Sequence, residues 1–256
     1  MDSIAHPDDP AVRRGGPSPG GGSGVGVVDK TVTILAALAD AGPASLAELV
    51  DRTALARPTV HRLAVALEHH GLVGRDATGR FRLGLRLSGW GIRALDDLGL
   101  AGAAQPVLDD LRDSTDESAQ LFVRDEDVRI CVAVAERRRG LRDTVPIGSA
   151  LPLDRGSGGR VLLAFGRGPV DGPGLRRFAP GELDAVRVQG WASSVAEREA
   201  GVASVSAPVF DGSGVAVAAL GVSGPADRFA GDAVERFAAR VVAAARALER
   251  RAGLSN

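Results

Sequence analysis

The chain has 256 residues, 45% of them hydrophobic, and a formal net charge of −1 at pH 7. This length exceeds a usual single domain of roughly 100 to 150 residues. The sequence has no apolar run near the roughly 20 residues of a membrane helix and no segment typical of a signal peptide, so we expect a cytoplasmic protein with no membrane partner. A single cysteine, Cys131, excludes an internal disulfide and a cysteine-built metal site.

The first 24 residues are rich in proline and end in a glycine-rich run, Gly20 to Gly24. Such a segment cannot bury enough apolar surface to fold, so residues 1–24 are predicted to be a disordered tail. The pair Arg13-Arg14 is expected to be solvated there, with contact to DNA phosphates as the alternative.

Two helices are predicted next. Apolar residues at helical spacing indicate the first, which Gly42-Pro43 ends; they are Val28, Val32, Leu35 and Ala39. The second begins with a capping box, in which Ser45 caps the helix and Glu48 reaches back to it. Its buried face is predicted to comprise Leu46, Leu49 and Val50.

A third helix is predicted to open at Arg57-Pro58, with proline at the first helical position. Its apolar side consists of Val60, Leu63 and Leu67, and its other side is polar. The second and third predicted helices together form a helix-turn-helix motif. In such a motif, the N-terminal residues of the later helix reach base edges in the major groove of DNA. The predicted DNA-contacting residues here are Ser45, Arg57, Pro58, Thr59, His61 and Arg62.

A two-stranded wing is predicted after Gly71, around a turn at Asp76-Ala77-Thr78-Gly79. Because side chains alternate across a strand, Phe81 and Leu83 point to one face, and Arg80 and Arg82 point to the other, toward a phosphate backbone. Six arginines and two acidic residues between Arg57 and Arg86 give a local net charge of +4. The basic charge is therefore concentrated in this segment, as DNA binding requires.

These motifs, in VVDKTVTILAALADAGPASLAELV, LARPTVHRLAVALEHHGLV and GRFRLG, closely resemble the winged-helix domain of IclR-type bacterial transcriptional regulators. The resemblance continues through LPLDRGSGGRVLLAF and the segment from Gly190 to Phe229, and covers about nine tenths of the chain. Three further segments look most like the actinobacterial NdgR or AreB subgroup, which is tied to leucine biosynthesis: Arg129 to Ala133, Gly140 to Gly148, and Glu197 to Glu199.

The remainder alternates apolar strands and helices. A linker helix is predicted from Leu87, Trp90, Ala94 and Leu98; in the resembling family it joins the domains and helps them dimerise. Strands are predicted at Ala119–Val123, Val128–Val134, Asp143–Ile147, Val202–Phe210 and Val215–Val222. Helices are predicted at Ala103–Ser114, Gly158–Gly166, Gly181–Gln189 and Asp232–Arg250, and Asp211 to Gly214 is a hairpin turn.

The predicted fold class is therefore α+β. A winged helix-turn-helix at residues 25–86 precedes residues 87–256, which comprise the linker helix and an antiparallel sheet with helices on it. The resemblance implies that this second domain is GAF-like and binds an effector.

Catalytic motifs are missing from this second domain. The loop Gly156 to Arg160 lacks the lysine and Ser/Thr of a P-loop, and all four histidines precede residue 71, so serine hydrolysis of the usual type is excluded. His69 and His70 point about 100° apart on a helix, and no further ligand completes a metal site. We expect no enzyme, no metal and no cofactor.

A small carboxylate is the expected ligand, because the loop before helix Gly158–Gly166 presents amides at the positive end of a helix dipole. The amides of Gly158 and Gly159 are the expected donors. The resemblance adds Ser157, Ser194 and Ser204 as pocket residues; ordinary turn and capping roles are the alternative for these serines. Asp154 stands where the family often has histidine, so the identity of the effector cannot be inferred from the effectors of better-known family members.

Together these features predict a transcriptional regulator that binds a double-stranded DNA operator as a homodimer or a dimer of dimers. Its effector is expected to be a small organic acid or amino acid. The alternatives are an enzyme or signalling protein that carries a GAF-like domain, and a nucleoid protein that binds DNA without sequence preference.

Overall fold

A computed structural model describes residues 13–14, 23–97, 99–100, 102–168, 178–179 and 181–255. The contacts divide the chain into two units. One comprises residues 14–94, and the other comprises Arg13 and residues 95–256. Most of the predicted disordered tail lies outside the described residues. Arg13 and Arg14, which belong to this tail and are described, form a two-residue strand, β1.

The unit of residues 14–94 contains a helix-turn-helix followed by a two-stranded wing. Its elements are α1 (Gly26–Ala41), α2 (Leu46–Thr53), α3 (Arg57–His69), β2 (Val73–Arg75) and β3 (Phe81–Leu83). Strands β2 and β3 are antiparallel, with Val73 opposite Leu83. Phe81 is buried and Leu83 packs against the same core, as their alternation along the strand predicts.

The predicted inner face of α1 is wrong in part. Val28 and Val32 are 50% and 36% exposed, whereas Ile34 and Leu38 are buried against α2 and α3. The helix carries apolar residues around most of its circumference, so spacing alone does not identify the stripe that packs. Which face of α1 is buried is decided by its tertiary contacts with α2 and α3.

Local sequence signals correctly predict where α2 begins. Ser45 Oγ accepts a hydrogen bond from the Glu48 amide at 3.3 Å, and Glu48 Oε2 accepts one from the Ser45 amide at 2.7 Å. This is the predicted capping box. Pro58 is the second rather than the first residue of α3, but it still lies in the first turn, where helical amides have no intrahelical partner.

The turn of the wing is fixed by one carboxylate. Asp76 Oδ1 accepts hydrogen bonds from the Thr78 amide at 2.8 Å, the Thr78 hydroxyl at 2.7 Å and the Arg80 amide at 3.0 Å. Gly79 has a φ of +80°, which favours glycine. Two backbone hydrogen bonds between Ala44 and Phe81, of 2.8 and 2.9 Å, then attach the wing to the residues before α2.

Helix α4 (Arg86–Asp96) follows the wing and matches the predicted linker helix. None of its residues is buried; Trp90 and Ile92 are 50% and 56% exposed. Leu98, the last residue of the predicted stripe, lies outside the described residues.

In its described residues, the unit that begins at residue 95 contains four α-helices, a short 3-10 helix at Ala226–Phe229 and an antiparallel sheet. Its helices α5 (Ala104–Thr115), α6 (Ser157–Phe165), α7 (Glu182–Gln189) and α8 (Ala233–Arg251) agree with the predicted bounds to within one residue. Its strands are β4 (Ser118–Asp125), β5 (Val128–Ala135), β6 (Ser149–Pro152), β7 (Ala192–Val195), β8 (Val202–Phe210) and β9 (Ala216–Pro225). The strand order is β1-β6-β5-β4-β9-β8-β7.

One predicted strand is wrong. Residues 143–147 form a loop, and the strand β6 begins only at Ser149. Pro146 has no amide to donate to a ladder, and Gly148, with a φ of +88°, instead donates to the Cys131 carbonyl. The short strand β7 was not predicted, because its sequence ASSV offers little apolar signal.

The two faces of the sheet differ in chemistry. On one face Leu121, Val205 and Leu220 pack with helices α5 and α8 in an apolar core. On the other, Phe122 and Cys131 pack with α6 and α7, and several serines lie beside them. Among the described residues, no helix is both long and apolar enough to cross a membrane.

A pH-dependent contribution of Glu48 to stability follows from its contacts. The Ser45 amide and hydroxyl, and then Arg80, lower the pKa of Glu48 from 4.5 to about 2. A carboxylate with a depressed pKa stabilises the folded state above its unfolded pKa, and this contribution is lost as the pH falls through the folded value. We expect Glu48→Gln, which keeps an acceptor for the Ser45 amide, to be less stable than wild type at pH 7. In urea denaturation the difference should shrink between pH 4.5 and 2; a difference that is constant with pH would contradict the assignment.

Candidate functional site

Helix α3 presents a basic, solvent-facing side at its N-terminal end. Arg57, His61 and Arg62 are exposed and Thr59 is half-buried, whereas the predicted apolar residues Val60, Leu63 and Leu67 are buried. Among the described residues, neither Arg57 nor Arg62 forms an ion pair or a side-chain hydrogen bond. Both guanidinium groups are therefore available to an external partner.

The arginines of the wing are more engaged than the sequence predicts. Arg80 Nη2 lies 2.9 Å from Glu48 Oε2 and donates to the Pro43 carbonyl at 2.9 Å. The predicted orientation of Arg80 toward a phosphate backbone is thus not observed, because the carboxylate of the capping box binds this guanidinium instead. Arg75 likewise pairs with Glu68 at 3.0 Å.

Arg82 differs from these two. It donates to the Leu83 carbonyl at 3.2 Å, and the part of the chain that the structure describes provides it with no carboxylate. Arg86 likewise donates to a carbonyl, that of His70, at 2.9 Å. Arg57, Arg62, Arg82 and Arg86 are therefore the arginines of this segment that have no carboxylate partner among the described residues.

A second site lies on the serine-bearing face of the sheet. Ser157 Oγ lies 2.7 Å from both Ser204 Oγ and Ser206 Oγ. Ser194 Oγ lies 2.9 Å from Ser204 Oγ and accepts from the Ser157 amide at 3.1 Å. The structure thus brings together the three serines that the sequence singled out. With Gly158 they line a cavity of about 30 Å³.

The N-terminus of α6 differs from the prediction in two respects. Gly159 does not line the cavity; its α-carbon packs against the Leu153 carbonyl, where any side chain would collide. In addition, the Gly156 amide donates to Glu197 at 2.9 Å, and Arg160 holds this carboxylate at 2.6 Å. A carboxylate of the protein itself therefore already occupies part of the predicted anion site.

Sequence reasoning missed the charged and amide side chains of the cavity. Arg129 and Gln120 line it and are only 4% and 2% exposed. A buried ion pair between Arg198 and Asp143, 2.5 Å apart, completes one wall. A usable signal exists in β4 and β8, where Gln120, Ser204 and Ser206 alternate with apolar residues. Such alternation within central strands indicates a polar face.

Other candidate reactive groups lie outside this cavity. Burial raises the pKa of the Cys131 thiol to about 12, so the thiolate that nucleophilic chemistry needs is scarce at neutral pH. Within the described ranges, no three His, Cys, Asp or Glu side chains are grouped to hold a metal ion.

Two family models match most of the chain. The "IclR helix-turn-helix domain" matches residues 27–77. The "Bacterial transcriptional regulator IclR C-terminal" domain matches residues 92–168 and 179–250.

Individual relatives agree with these matches. The HTH-type transcriptional regulator KipR of Bacillus subtilis is 30% identical over 227 residues, which are 82% of this chain and 90% of that protein. The crystal structure of Pseudomonas aeruginosa HmgR is 31% identical with a TM-score of 0.72, covering 91% of this chain and all of that one. An IclR homologue from Microbacterium hydrocarbonoxydans, complexed with 4-hydroxybenzoate, shares the fold at 23% identity and a TM-score of 0.73, covering 90% of this chain and all of that one.

Proposed function

This chain belongs to the IclR family of bacterial transcriptional regulators, and from that premise we propose that α3 and the wing read an operator while the C-terminal domain senses a small metabolite. DNA binding and transcriptional regulation are properties of the family, and the relatives are regulators rather than enzymes. The observation that carries the operator assignment is the pair of unengaged arginines, Arg57 and Arg62, on the exposed N-terminal side of α3.

Within this DNA interface we assign different roles to different residues. Arg57, Thr59, His61 and Arg62 occupy the part of a recognition helix that reaches base edges. Arg82 contacts phosphate, whereas Arg80 positions the wing through Glu48. Ser45 caps the N-terminus of α2 and Pro58 lies in the first turn of α3, and helix N-termini are positions that approach the DNA backbone.

We also propose that the protein acts as a symmetric dimer or a dimer of dimers. Helix α4 has no buried residue, yet it carries Trp90 and Ile92, and Val28 and Val32 of α1 are exposed as well. Large apolar side chains in such numbers are typical of a surface that another protein covers. A second copy is the proposed partner because DNA-binding dimers place two recognition helices on one operator.

The proposed effector is a small carboxylate held near Ser157, Gly158, Ser194 and Ser204. The hydroxyl cluster and the buried Arg129 support this chemistry. The resemblance to the NdgR and AreB regulators supports an acid of leucine or branched-chain metabolism, and hence control of those biosynthetic genes.

Base reading and phosphate contact have distinct signatures. Arg62→Ala should lower the preference for operator over random DNA, by roughly 1 to 3 kcal/mol if the contact with guanine is bidentate. Arg82→Ala should weaken binding to both DNAs equally and reduce the slope of log K against log salt by about one. Arg80→Ala is the matched control. We expect it to change the slope less than Arg82→Ala does, because Glu48 already neutralises the Arg80 side chain in the wild-type protein. Fluorescence anisotropy at several salt concentrations measures both quantities; an unchanged specificity ratio in Arg62→Ala would place the reading face elsewhere.

Association should depend on α4. We expect wild type to sediment as a dimer or larger species at micromolar concentration and to protect half-sites roughly 34 Å apart, or a multiple of that distance. Trp90→Ser should shift the protein toward monomer, whereas Val188→Ser, at a residue that is 90% exposed on α7, should not. A wild-type protein that remains monomeric with operator present would refute the dimer.

Effector sensing should appear as a ligand-dependent change in operator affinity without consumption of the ligand. Ser204→Val removes a hydroxyl that lies between Ser157 and Ser194 and puts a methyl group in the cavity. This variant should lose the ligand response but bind operator as the ligand-free wild type does. Retention of the full response would place the effector site outside the cavity, and turnover of the ligand would indicate an enzyme.

A further inference from the structure

Two glutamates of the helix-turn-helix bind the two arginines that flank the turn of the wing. Glu68, near the end of α3, has its Oε1 3.0 Å from Arg75 Nε. Glu48, in the first turn of α2, has its Oε2 2.9 Å from Arg80 Nη2. Arg75 is the last residue of β2, and Arg80 directly precedes β3. Each helix of the motif thus supplies one carboxylate to one side of the wing turn.

Arg75 is held by more than one contact. Its Nε also lies 3.2 Å from Glu68 Oε2, and its Nη1 donates to the Gly79 carbonyl at 3.0 Å. Its Cζ lies 4.1 Å from the centroid of the Phe81 ring, which is a cation–π distance. Phe81 is directly opposite Arg75 in the wing ladder, so the two side chains share a face of the hairpin. The guanidinium of Arg75 is therefore bound back against α3 and the wing.

The wing does not depend on these two ion pairs for its attachment to the helices. Phe81 is buried in the core of this domain and shares two backbone hydrogen bonds with Ala44. Asp76 fixes the turn by accepting from the amide and the hydroxyl of Thr78. The side chains of both ion pairs are 34–42% exposed, and exposed pairs contribute little to folding stability. The main effect of the pairing is therefore on the charge that the wing presents to a partner.

Sequence-independent affinity for DNA depends on that charge. A cation that contacts a phosphate releases a condensed counterion, and this release favours binding to any duplex. An arginine that is paired with a carboxylate must give up this partner before it can do the same. Of the three wing arginines, Arg75, Arg80 and Arg82, only Arg82 has no carboxylate partner in the part of the chain that the structure describes. Pairing thus withholds two of the three charges from phosphates.

Resting on the DNA interface proposed above, we infer that Glu48 and Glu68 limit the affinity of the wing for DNA of any sequence. Both are positioning residues, because each holds an arginine that would otherwise be available to a phosphate. Arg57 and Arg62 of α3 are not restrained in this way, so base reading supplies a larger share of the binding free energy. Fewer phosphate contacts also let the protein leave nonspecific DNA more readily.

Removal of either carboxylate should therefore strengthen binding to DNA. We expect Glu68→Gln to raise the affinity for a random-sequence duplex of about 30 base pairs by about threefold or more, and to steepen the slope of log K against log salt by about one. Glutamine keeps an acceptor for Arg75 Nε, so Glu68→Ala, which removes the acceptor as well, is the second variant. Fluorescence anisotropy of the full-length protein at several salt concentrations measures both quantities. A purely structural role for Glu68 predicts the opposite sign, namely weaker binding.

A second background separates the release of Arg75 from the general effect of removing one negative charge. In Arg75→Gln no guanidinium is left for Glu68 to hold, so the addition of Glu68→Gln should leave the salt slope unchanged. The other pair provides a matched test. Glu48→Gln should steepen the slope in the wild-type background but not in Arg80→Gln.

An equal change in slope with and without Arg75 would show that Glu68 acts through net charge alone, and it would overturn the inference. Unchanged or weaker binding to random DNA by both Glu68→Gln and Glu68→Ala would do the same.

Operator preference is measured in parallel, with a duplex that the wild-type protein selects from a random pool. If wild type shows no preference for any duplex while the glutamate variants still bind random DNA more tightly, the reading face proposed above is wrong and the inference stands. If the preference persists while the glutamate variants bind random DNA as wild type does, the inference alone is wrong.

Discussion

The alternation of side chains across the central strands is the constraint on which the C-terminal domain depends. Along β8, Ala203, Val205 and Ala207 face the apolar core with α5 and α8, so Ser204 and Ser206 must face α6. That second face buries hydroxyls, which is tolerable only because they bond to one another and to the first turn of α6. The same pleat that builds the core thus determines where the cavity lies.

Local chemistry explains which elements could be predicted. The Ser45 capping box, Pro58 and the Asp76 turn act within four residues of sequence, and the structure contains all three. The inner face of α1, the engagement of Arg80 by Glu48 and the burial of Arg129 depend on residues distant in the chain. These three features follow from tertiary packing, which neither the spacing nor the composition of the sequence reveals. The strand predicted at residues 143–147 failed for a local reason, the missing amide of Pro146.

Ion pairing changes how the charge of this chain is interpreted. Between Arg57 and Arg86 the sequence gives +4, but Arg75 and Arg80 are each bound by a carboxylate. Glu48 lies outside that window in sequence and still neutralises one of its arginines. In the C-terminal domain, Arg155, Arg160 and Arg198 each pair with a carboxylate, whereas Arg129 forms no ion pair within the described ranges. In both domains, the arginines that have no carboxylate partner among the described residues are the ones best able to bind an external anion.

Helix α4 has 11 residues and none of them is buried. Isolated helices shorter than about 12 to 15 residues are marginal in water, since they lack the packing that supports helices in folded domains. In the dimer proposed above, the partner chain would cover Trp90 and Ile92 and so support the helical state of α4. In the dimer proposed above, formation of α4 and association of the chains are linked by mass action, so dilution would unfold this helix as it separates the copies.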